Sequence, residues 1–199
     1  MNSGTKIIYP FLVFLTVFAT DLSAHPHVFL DCDIDFIFDE NGLAGIKHRW
    51  VFDEMYSVTF LQDFDLNGDG VLNNNELENI YQNAFIALKD YNYFNIIHIN
   101  GKEFIIKKHS NFKALIVNNR LVYEFVVHCP IKASNKVNTI KVSILDETNY
   151  IAMDISDRSP IFSGKKNMFR IEHTKKDHHE WTGTGECIPS HITVKFTKI

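Results

Sequence analysis

The residues Asp65–Glu76 carry oxygen-bearing side chains at alternating positions, followed by a closing glutamate. The pattern is Asp-x-Asn-x-Asp-Gly, then five residues, then Glu. Ca2+ is a hard cation that takes six to eight oxygen ligands, so a loop of this composition can wrap around it. The sequence therefore predicts a calcium site in this segment.

Each position of the segment has a predicted task. The calcium ligands would be Asp65, Asn67, Asp69, the backbone carbonyl of Val71, Asn73 through a water molecule, and both carboxylate oxygens of Glu76. Gly70 stands where the chain must turn sharply. Leu72 is the apolar residue that would anchor the loop to the rest of the protein. Because two positions hold Asn in place of an acid, we expect weak binding, toward the range of roughly 10^-4 to 10^-3 M of extracellular modules.

The residues on both sides of the segment favour helices. Apolar residues recur at helical spacing before it, and the i, i+3, i+4 pattern returns from Leu77 to Leu88. Helix, loop and helix together form the context of an EF-hand, which we expect over about residues 53–89. The alternative is a turn rich in Asn, Asp and Gly between two helices, without a metal.

The N-terminus has the features of an export signal. Lys6 precedes a largely apolar run of 13 residues, Ile7–Ala19, which is shorter than the roughly 20 residues that a membrane-spanning helix needs. A cleavage point follows Ala24. We therefore expect a signal peptide over residues 1–24, a periplasmic location and no membrane insertion after cleavage. A buried N-terminal helix or a retained membrane anchor is the alternative.

The remaining residues, 25–199, suit a single domain with a sizeable core. The formal net charge of the chain is -4, and no basic stripe is present, so nucleic acid is not an expected partner. No nucleophile motif or phosphate-binding glycine loop occurs, which favours a binding protein over an enzyme.

Short strands separated by turns dominate the pattern outside the helices. Val28–Phe38 alternates between apolar residues and the acids Asp31, Asp33 and Asp35, which is typical of a half-buried strand. Hairpins are predicted around Asn100-Gly101 and Asn118-Asn119, and a third would join Thr139–Leu145 to Tyr150–Ile155. The predicted fold is mainly β, an antiparallel β-sandwich or open barrel with the EF-hand unit inserted between early strands.

Histidines and cysteines supply further candidate ligands. Cleavage after Ala24 would expose His25 and His27, whose imidazoles and the terminal amine could bind nickel, cobalt, zinc or copper. The alternative is a pair of merely exposed histidines. His173, His178 and His179 form a polar segment that could capture a transition metal loosely, although a solvated loop is the simpler interpretation. The three cysteines, Cys32, Cys129 and Cys187, leave the disulfide pairing open, and buried free thiols are the plain alternative.

Four stretches of the chain resemble an uncharacterised family of Gram-negative periplasmic proteins. They are Ala24–Asp31, Trp50–Ser57, the Asp65–Glu76 loop and Leu145–Tyr150, and the resemblance spans about residues 24–155. That family is described as the periplasmic component of an ABC-type transport system, and its members often accompany nickel/cobalt-type transporters. The resemblance implies a periplasmic accessory of an inner-membrane metal transporter. The family has no established catalytic residues that could be transferred to this sequence.

These observations lead to one expected function and two alternatives. We expect a calcium-binding, non-catalytic component of a metal-ion transport system. A metal-dependent periplasmic enzyme that uses the N-terminal histidines is one alternative. A purely structural interaction domain stabilised by calcium is the other.

Overall fold

The computed structural model describes residues 27–176, 180–181 and 187–199. The strands are β1 (Val28–Phe38), β2 (Gly42–Phe52), β3 (Asn95–Ile99), β4 (Lys102–Phe104), β5 (His109–Val117), β6 (Arg120–Lys132), β7 (Asn138–Ile144), β8 (Ile151–Ile155), β9 (Ile161–Gly164), β10 (Phe169–Lys176), β11 (Glu180–Trp181), β12 (Cys187–Ile188) and β13 (His191–Lys198). Two α-helices lie between β2 and β3, α1 (Glu54–Phe64) and α2 (Asn74–Ile80).

Two sheets form the sandwich that the sequence predicts. The first sheet has the order β5-β6-β2-β1-β8, with β9 also paired to β1, and the second has the order β10-β13-β7-β3-β4. Their inner faces meet in an aromatic core, where the ring of Phe38 lies 5.3 Å from Phe169 and 5.2 Å from Phe196. The alternation of β1 places Leu30, Cys32, Ile34 and other apolar side chains in this core, as predicted.

Local turn chemistry fixes two of the predicted hairpins. Asn100 and Gly101 both have positive φ values, 51° and 80°, which joins β3 to β4 through a tight turn. Asn118 and Asn119 have φ values of 50° and 60° and join β5 to β6 in the same way. The third predicted hairpin is wrong, because β7 and β8 belong to different sheets and β8 pairs in parallel with β1.

The helical insertion is longer than predicted and changes character along its length. After α2 the chain continues as a π-helical segment, Tyr81–Phe85, and then as a 3-10 segment, Ile86–Phe94. Tyr93 and Phe94 have left-handed φ values of 50° and 53°, which ends the helical path and starts β3. Among the described residues, none of the helices has the length and apolar character that crossing a membrane requires.

Candidate metal centre

Helix α1 delivers the first residue of the predicted calcium loop. Its N-terminus is capped by Asp53, whose Oδ1 accepts from the Tyr56 backbone N–H at 2.8 Å. The aromatic rings of Tyr56, Phe60 and Phe64 follow one another along one face, and Phe60 lies 6.1 Å from the ring of Tyr123 on β6. This contact fixes α1 on the first sheet, and the helix ends immediately before Asp65.

Asp65 organises the first half of the loop. Its Oδ1 accepts from the backbone N–H of Gly68 at 2.9 Å, and its Oδ2 accepts from the N–H of Gly70 at 2.7 Å. Gly70 has a φ of 77°, and an added Cβ there would meet nothing within 4 Å. The left-handed backbone, and not crowding, therefore explains the glycine at the predicted turn.

The middle of the loop is held by its own polar side chains. Asn67 Nδ2 donates to Asp69 Oδ2 at 2.9 Å, and the backbone N–H of Val71 donates to Asp69 Oδ1 at 2.8 Å. Val71 is 65% exposed. Leu72 is partly buried and packs against the hydrophobic core, which confirms its predicted role as the anchor.

A capping box closes the loop and starts α2. Asn73 Oδ1 accepts from the N–H groups of Asn75 and Glu76, while Glu76 Oε2 accepts from the Asn73 N–H at 2.8 Å. The other carboxylate oxygen of Glu76 reaches back across the loop, where it accepts from the Leu66 N–H at 2.9 Å. The last predicted ligand thus already connects the end of the loop with its beginning.

Glu76 combines a negative charge with nearly complete burial. The residue is 1% exposed. Within the part of the chain that the structure describes, no Lys, Arg or His forms an ion pair with it, and its hydrogen-bond donors are backbone N–H groups. Buried carboxylates are normally paired with a cation or bind a metal.

The three predicted carboxylate ligands share one loop without converging on a common centre. Over residues 27–176, 180–181 and 187–199, no group of three or more His, Cys, Asp or Glu side chains is close enough to hold a metal ion. The carboxylates of Asp65, Asp69 and Glu76 accept instead from loop backbone N–H groups. Binding of Ca2+ would therefore exchange these hydrogen bonds for metal–oxygen contacts.

The predicted transition-metal ligands are only partly described. His25 lies outside the described residues. His27 is exposed, its backbone N–H donates to the Tyr150 carbonyl at 2.9 Å, and its ring lies 5.3 Å from the Tyr150 ring. Asp31, four residues further along the chain, is paired with Arg120 at 3.3 Å. The site at His25 and His27 stays a prediction.

The other candidate groups are a histidine segment and three cysteines, and the structure describes them in part. His173 lies on β10 with its ring 5.4 Å from Phe162, while His178 and His179 are outside the described residues. Cys32 and Cys129 are buried free thiols, and burial raises the pKa of Cys129 to about 12. The Cys187 backbone forms part of β12, but its side chain is not described.

A polar cluster around His109 was not predicted from the sequence. The His109 ring is hydrogen-bonded on Nε2 to the Tyr81 hydroxyl at 3.0 Å and on Nδ1 to the Tyr93 hydroxyl at 2.6 Å. The pKa of His109 is lowered, first by burial and then by the nearby His128. A bulge between Ser110 and Lys113 changes the strand parity, so alternation along β5 gave no signal of this arrangement.

Two members of the His109 cluster, His109 and Tyr81, line a groove next to the start of α2. The groove has a volume of about 660 Å³ and lies between α2 and the segment His109–Leu115 of β5. Asn74, Leu77 and Glu78, which come from the end of the loop and the start of α2, line its helical wall. A change in the position of Glu76 would therefore also move the residues that form this wall.

Comparison with known families gives a group without an assigned activity. A family model described as "Protein of unknown function (DUF1007)" matches residues 10–180. The chain belongs to this family. Membership agrees with the uncharacterised family that the sequence resembles and adds no ligand, partner or reaction.

Two relatives and one solved structure are similar to the chain. An uncharacterised 15.5 kDa protein from Spirochaeta aurantia is 26% identical over 101 residues, which are 51% of this chain and 71% of the relative. An uncharacterised protein from Haemophilus influenzae is 24% identical over 140 residues, 69% of this chain and 66% of the relative. A crystal structure of AChBP from Bulinus truncatus is 11% identical, and the match covers 97% of this chain and 100% of the AChBP chain. Its TM-score of 0.39 is too low to support a structural or functional conclusion.

Proposed function

We propose that this protein binds one Ca2+ through the loop Asp65–Glu76 and serves as a non-catalytic, periplasmic accessory of a metal-ion transport system. The calcium proposal depends mainly on the burial of the Glu76 carboxylate. A carboxylate that is 1% exposed and has no cationic partner among the described residues is costly to bury. A divalent cation in the loop would supply the missing positive charge.

The ligand types fit a calcium ion. Three carboxylates, two amide side chains and one backbone carbonyl offer only oxygen atoms, which are the ligands that Ca2+ prefers. The loop already turns at Gly70 and begins and ends at helices. The residues that would hold the ion are Asp65, Asn67, Asp69, Val71, Asn73 and Glu76.

Calcium would act on the relative position of the two helices. Asp65 directly follows α1, and Glu76 belongs to the first turn of α2. Phe60 of α1 and Ile80 of α2 both belong to the hydrophobic core, so both helices are attached to the sandwich. Coordination of one ion by residues of both helices would fix the angle between them. It would also fix the position of the groove wall that α2 forms.

The expected affinity suits an ion that is present at high concentration. Asn at two ligand positions lowers the charge of the site, which favours a dissociation constant of roughly 10^-4 to 10^-3 M. Such a site would be filled outside the cytoplasm and would serve stability and shape more than signalling.

The transport role rests on the N-terminus and on the resemblance stated above. His25 and His27 would present nickel, cobalt, zinc or copper to an inner-membrane transporter. This part of the proposal is tested by the metal content of the protein purified from the periplasm, compared with a His25→Ala/His27→Ala variant. Equal transition-metal content in both proteins would reject the histidine site.

Calorimetric titration of the exported protein with Ca2+ tests the calcium site. We expect saturable binding of one ion in the wild type and its loss in Asp65→Ala. Asp63→Ala is the matched control, because Asp63 is an exposed carboxylate one position before the end of α1 and is not a predicted ligand. Absence of binding at about 10 mM Ca2+, which is above the weakest expected dissociation constant, would refute the proposal.

A further inference from the structure

A second cavity lies where the helical insertion ends and β3 begins. It has a volume of about 360 Å³ and is enclosed by three separate parts of the chain. These are the end of the 3-10 segment with the start of β3, the end of β4 with the residue that follows it, and the connection after β7. Its size is within the range of pockets that hold small molecules.

Negative charge dominates the lining of this cavity. Asp90, Glu103, Asp146 and Glu147 contribute four carboxylates, against the single ammonium group of Lys89. In the described parts of the chain, none of the four carboxylates forms an ion pair. Asp146 is already held by Thr148, whose hydroxyl and backbone N–H donate to its Oδ1 at 2.7 Å and 2.9 Å. Asp90, Glu103 and Glu147 are therefore the carboxylates that the cavity offers to a cation.

Apolar and aromatic surface lies beside these carboxylates. Tyr91 is 60% exposed and Ile105 is 56% exposed, and both line the cavity together with Phe94. An aromatic face attracts an ammonium or guanidinium group, while aliphatic surface accommodates its hydrocarbon stem. This combination favours an organic cation over a fully hydrated inorganic ion.

A buried amide in the wall lacks a hydrogen-bond donor. Asn95 is 3% exposed and lines the cavity, and its Nδ2 donates to the Tyr93 carbonyl at 2.6 Å. Its Oδ1 has no hydrogen-bond partner among the described residues. Buried polar atoms of this kind are uncommon. This one belongs to a residue of the cavity wall, which favours a ligand that carries hydrogen-bond donors.

The wall that carries Tyr91 is held in a defined shape. Asn92, Tyr93 and Phe94 have consecutive left-handed φ values of 51°, 50° and 53°, a costly conformation for residues other than glycine. Asn92 stabilises it, because its Oδ1 accepts from the Ile106 N–H at 2.7 Å and its Nδ2 donates to the Asn95 carbonyl at 2.6 Å. A preorganised wall reduces the entropy lost on binding.

The arrangement of the carboxylates argues against a metal ion as the ligand. No three acidic or histidine side chains in the described part of the chain converge as a metal requires. In the calcium loop, the ligands follow one another on one short segment and can converge by side-chain rotation. The carboxylates that a ligand would meet in the cavity stand on three separate segments, with Asp90 on the 3-10 segment, Glu103 on β4 and Glu147 in the connection after β7.

We infer that this cavity binds a small organic cation, an alkylammonium of the polyamine type. Its charged groups would lie among Asp90, Glu103 and Glu147, and its hydrocarbon stem would lie on Tyr91 and Ile105. This site is independent of the proposed calcium loop and assigns the protein a second ligand class.

Calorimetric titration with spermidine at low ionic strength tests this inference. We expect binding in the wild type, weakened about tenfold or more by Asp90→Asn/Glu103→Gln/Glu147→Gln, because the three charges next to the ligand are removed. Tyr91→Leu removes the aromatic face but keeps an apolar side chain, and it should weaken binding about threefold.

A matched variant separates the cavity from general electrostatic attraction. Glu40→Gln/Glu54→Gln/Glu172→Gln changes the net charge by the same amount at exposed positions outside the cavity and should retain wild-type affinity. Asp65→Ala should also retain it, which would exclude the calcium loop as the spermidine site. No binding at about 5 mM spermidine, weaker than useful small-molecule recognition, would overturn the inference. An equal loss in the cavity variant and in either control would overturn it as well.

Discussion

Two buried carboxylates, Glu76 in the loop and Asp33 on the outer face of β1, are held in opposite ways. Asp33 is 7% exposed, and its Oδ2 meets Arg158 at 2.5 Å and Arg49 at 3.5 Å. Its Oδ1 accepts from the Ser156 hydroxyl at 2.5 Å. Glu76 is 1% exposed and has only backbone N–H donors among the described residues.

The difference distinguishes Asp33, whose charge is compensated within the protein, from Glu76, which is a candidate metal ligand. The two arginines already compensate the charge of Asp33, so its network can stand without any further ion. Glu76 lacks that compensation, although it lies in a loop whose side chains carry oxygen ligands. The comparison supports the proposed binding role of the loop and favours a stabilising role for Asp33 on the outer face of the sheet.

The largest expected effect belongs to Glu76→Gln. The amide keeps the size of the side chain and one accepting oxygen but removes the charge, so Ca2+ affinity should fall at least about a hundredfold, or about 2.7 kcal/mol. Thermal unfolding with and without Ca2+ measures this, since the calcium-dependent rise in midpoint should disappear. If Ca2+ stabilised the variant as strongly as the wild type, Glu76 would not be a calcium ligand, and its contrast with Asp33 would not hold.

Asp33→Ala should act on stability and leave calcium binding unchanged. Removing the carboxylate leaves the Arg158 and Arg49 guanidinium groups without their shared partner, at a cost of about 2 kcal/mol. Urea denaturation should show the loss equally with Ca2+ and with a chelator. A loss that appears only with Ca2+ present would place Asp33 in the calcium response.

Acidification should weaken the sandwich through His48, which lies on the inner face of the sheet that carries Asp33. His48 is 0% exposed, and burial lowers its pKa to about 3. Because the folded pKa is below the unfolded value of about 6.5, the unfolded state binds the proton first, and stability falls as the pH drops below about 6.5.

The expected slope from His48 is about 1.4 kcal/mol per pH unit between about pH 6 and pH 4. His48→Phe should reduce the slope by about this amount, because phenylalanine does not bind a proton. The substitution breaks no hydrogen bond of the described residues, since neither ring nitrogen of His48 has a partner there. Urea denaturation across this pH range gives both slopes. Parallel slopes for the two proteins would show that the carboxylates alone govern acid unfolding.

The smallest effect should come from Asn73→Ala. The substitution removes the side-chain cap of α2 and should cost about 1 kcal/mol of stability without Ca2+. Calcium affinity should decrease only a few-fold, because Asn73 is expected to contact the ion through water. A loss of affinity as large as that of Glu76→Gln would make Asn73 a direct ligand.

Much of the fold followed from local patterns in the sequence. The alternation of Val28–Phe38 predicts β1 with the observed bounds, and the Asn100-Gly101 pair predicts the β3–β4 turn. Both depend on residues close in sequence, where period and turn preference act directly. The pairing of β8 was not predicted, because a parallel neighbour gives no hairpin signal.

The candidate sites also differ in whether their residues are close together or far apart in the sequence. The predicted ligands of the calcium loop lie within one short segment, whereas Ser156 and Asp33, which share a hydrogen bond, are 123 residues apart. Neither the His109 cluster nor the acidic cavity has a sequence signature, since each collects residues from several elements. Sequence spacing describes such groups only when they lie on one element.

The sequence by itself determined the order of oxygen-bearing residues in the loop, the helices that flank it and the mainly β architecture. The tertiary structure decided which buried acid has a cationic partner, that β1 accepts parallel neighbours, and that an acidic cavity forms at the end of the helical insertion. The physical reason is that turn chemistry and periodicity act between near neighbours. Burial and charge compensation depend on which distant segments the packed sheets bring together.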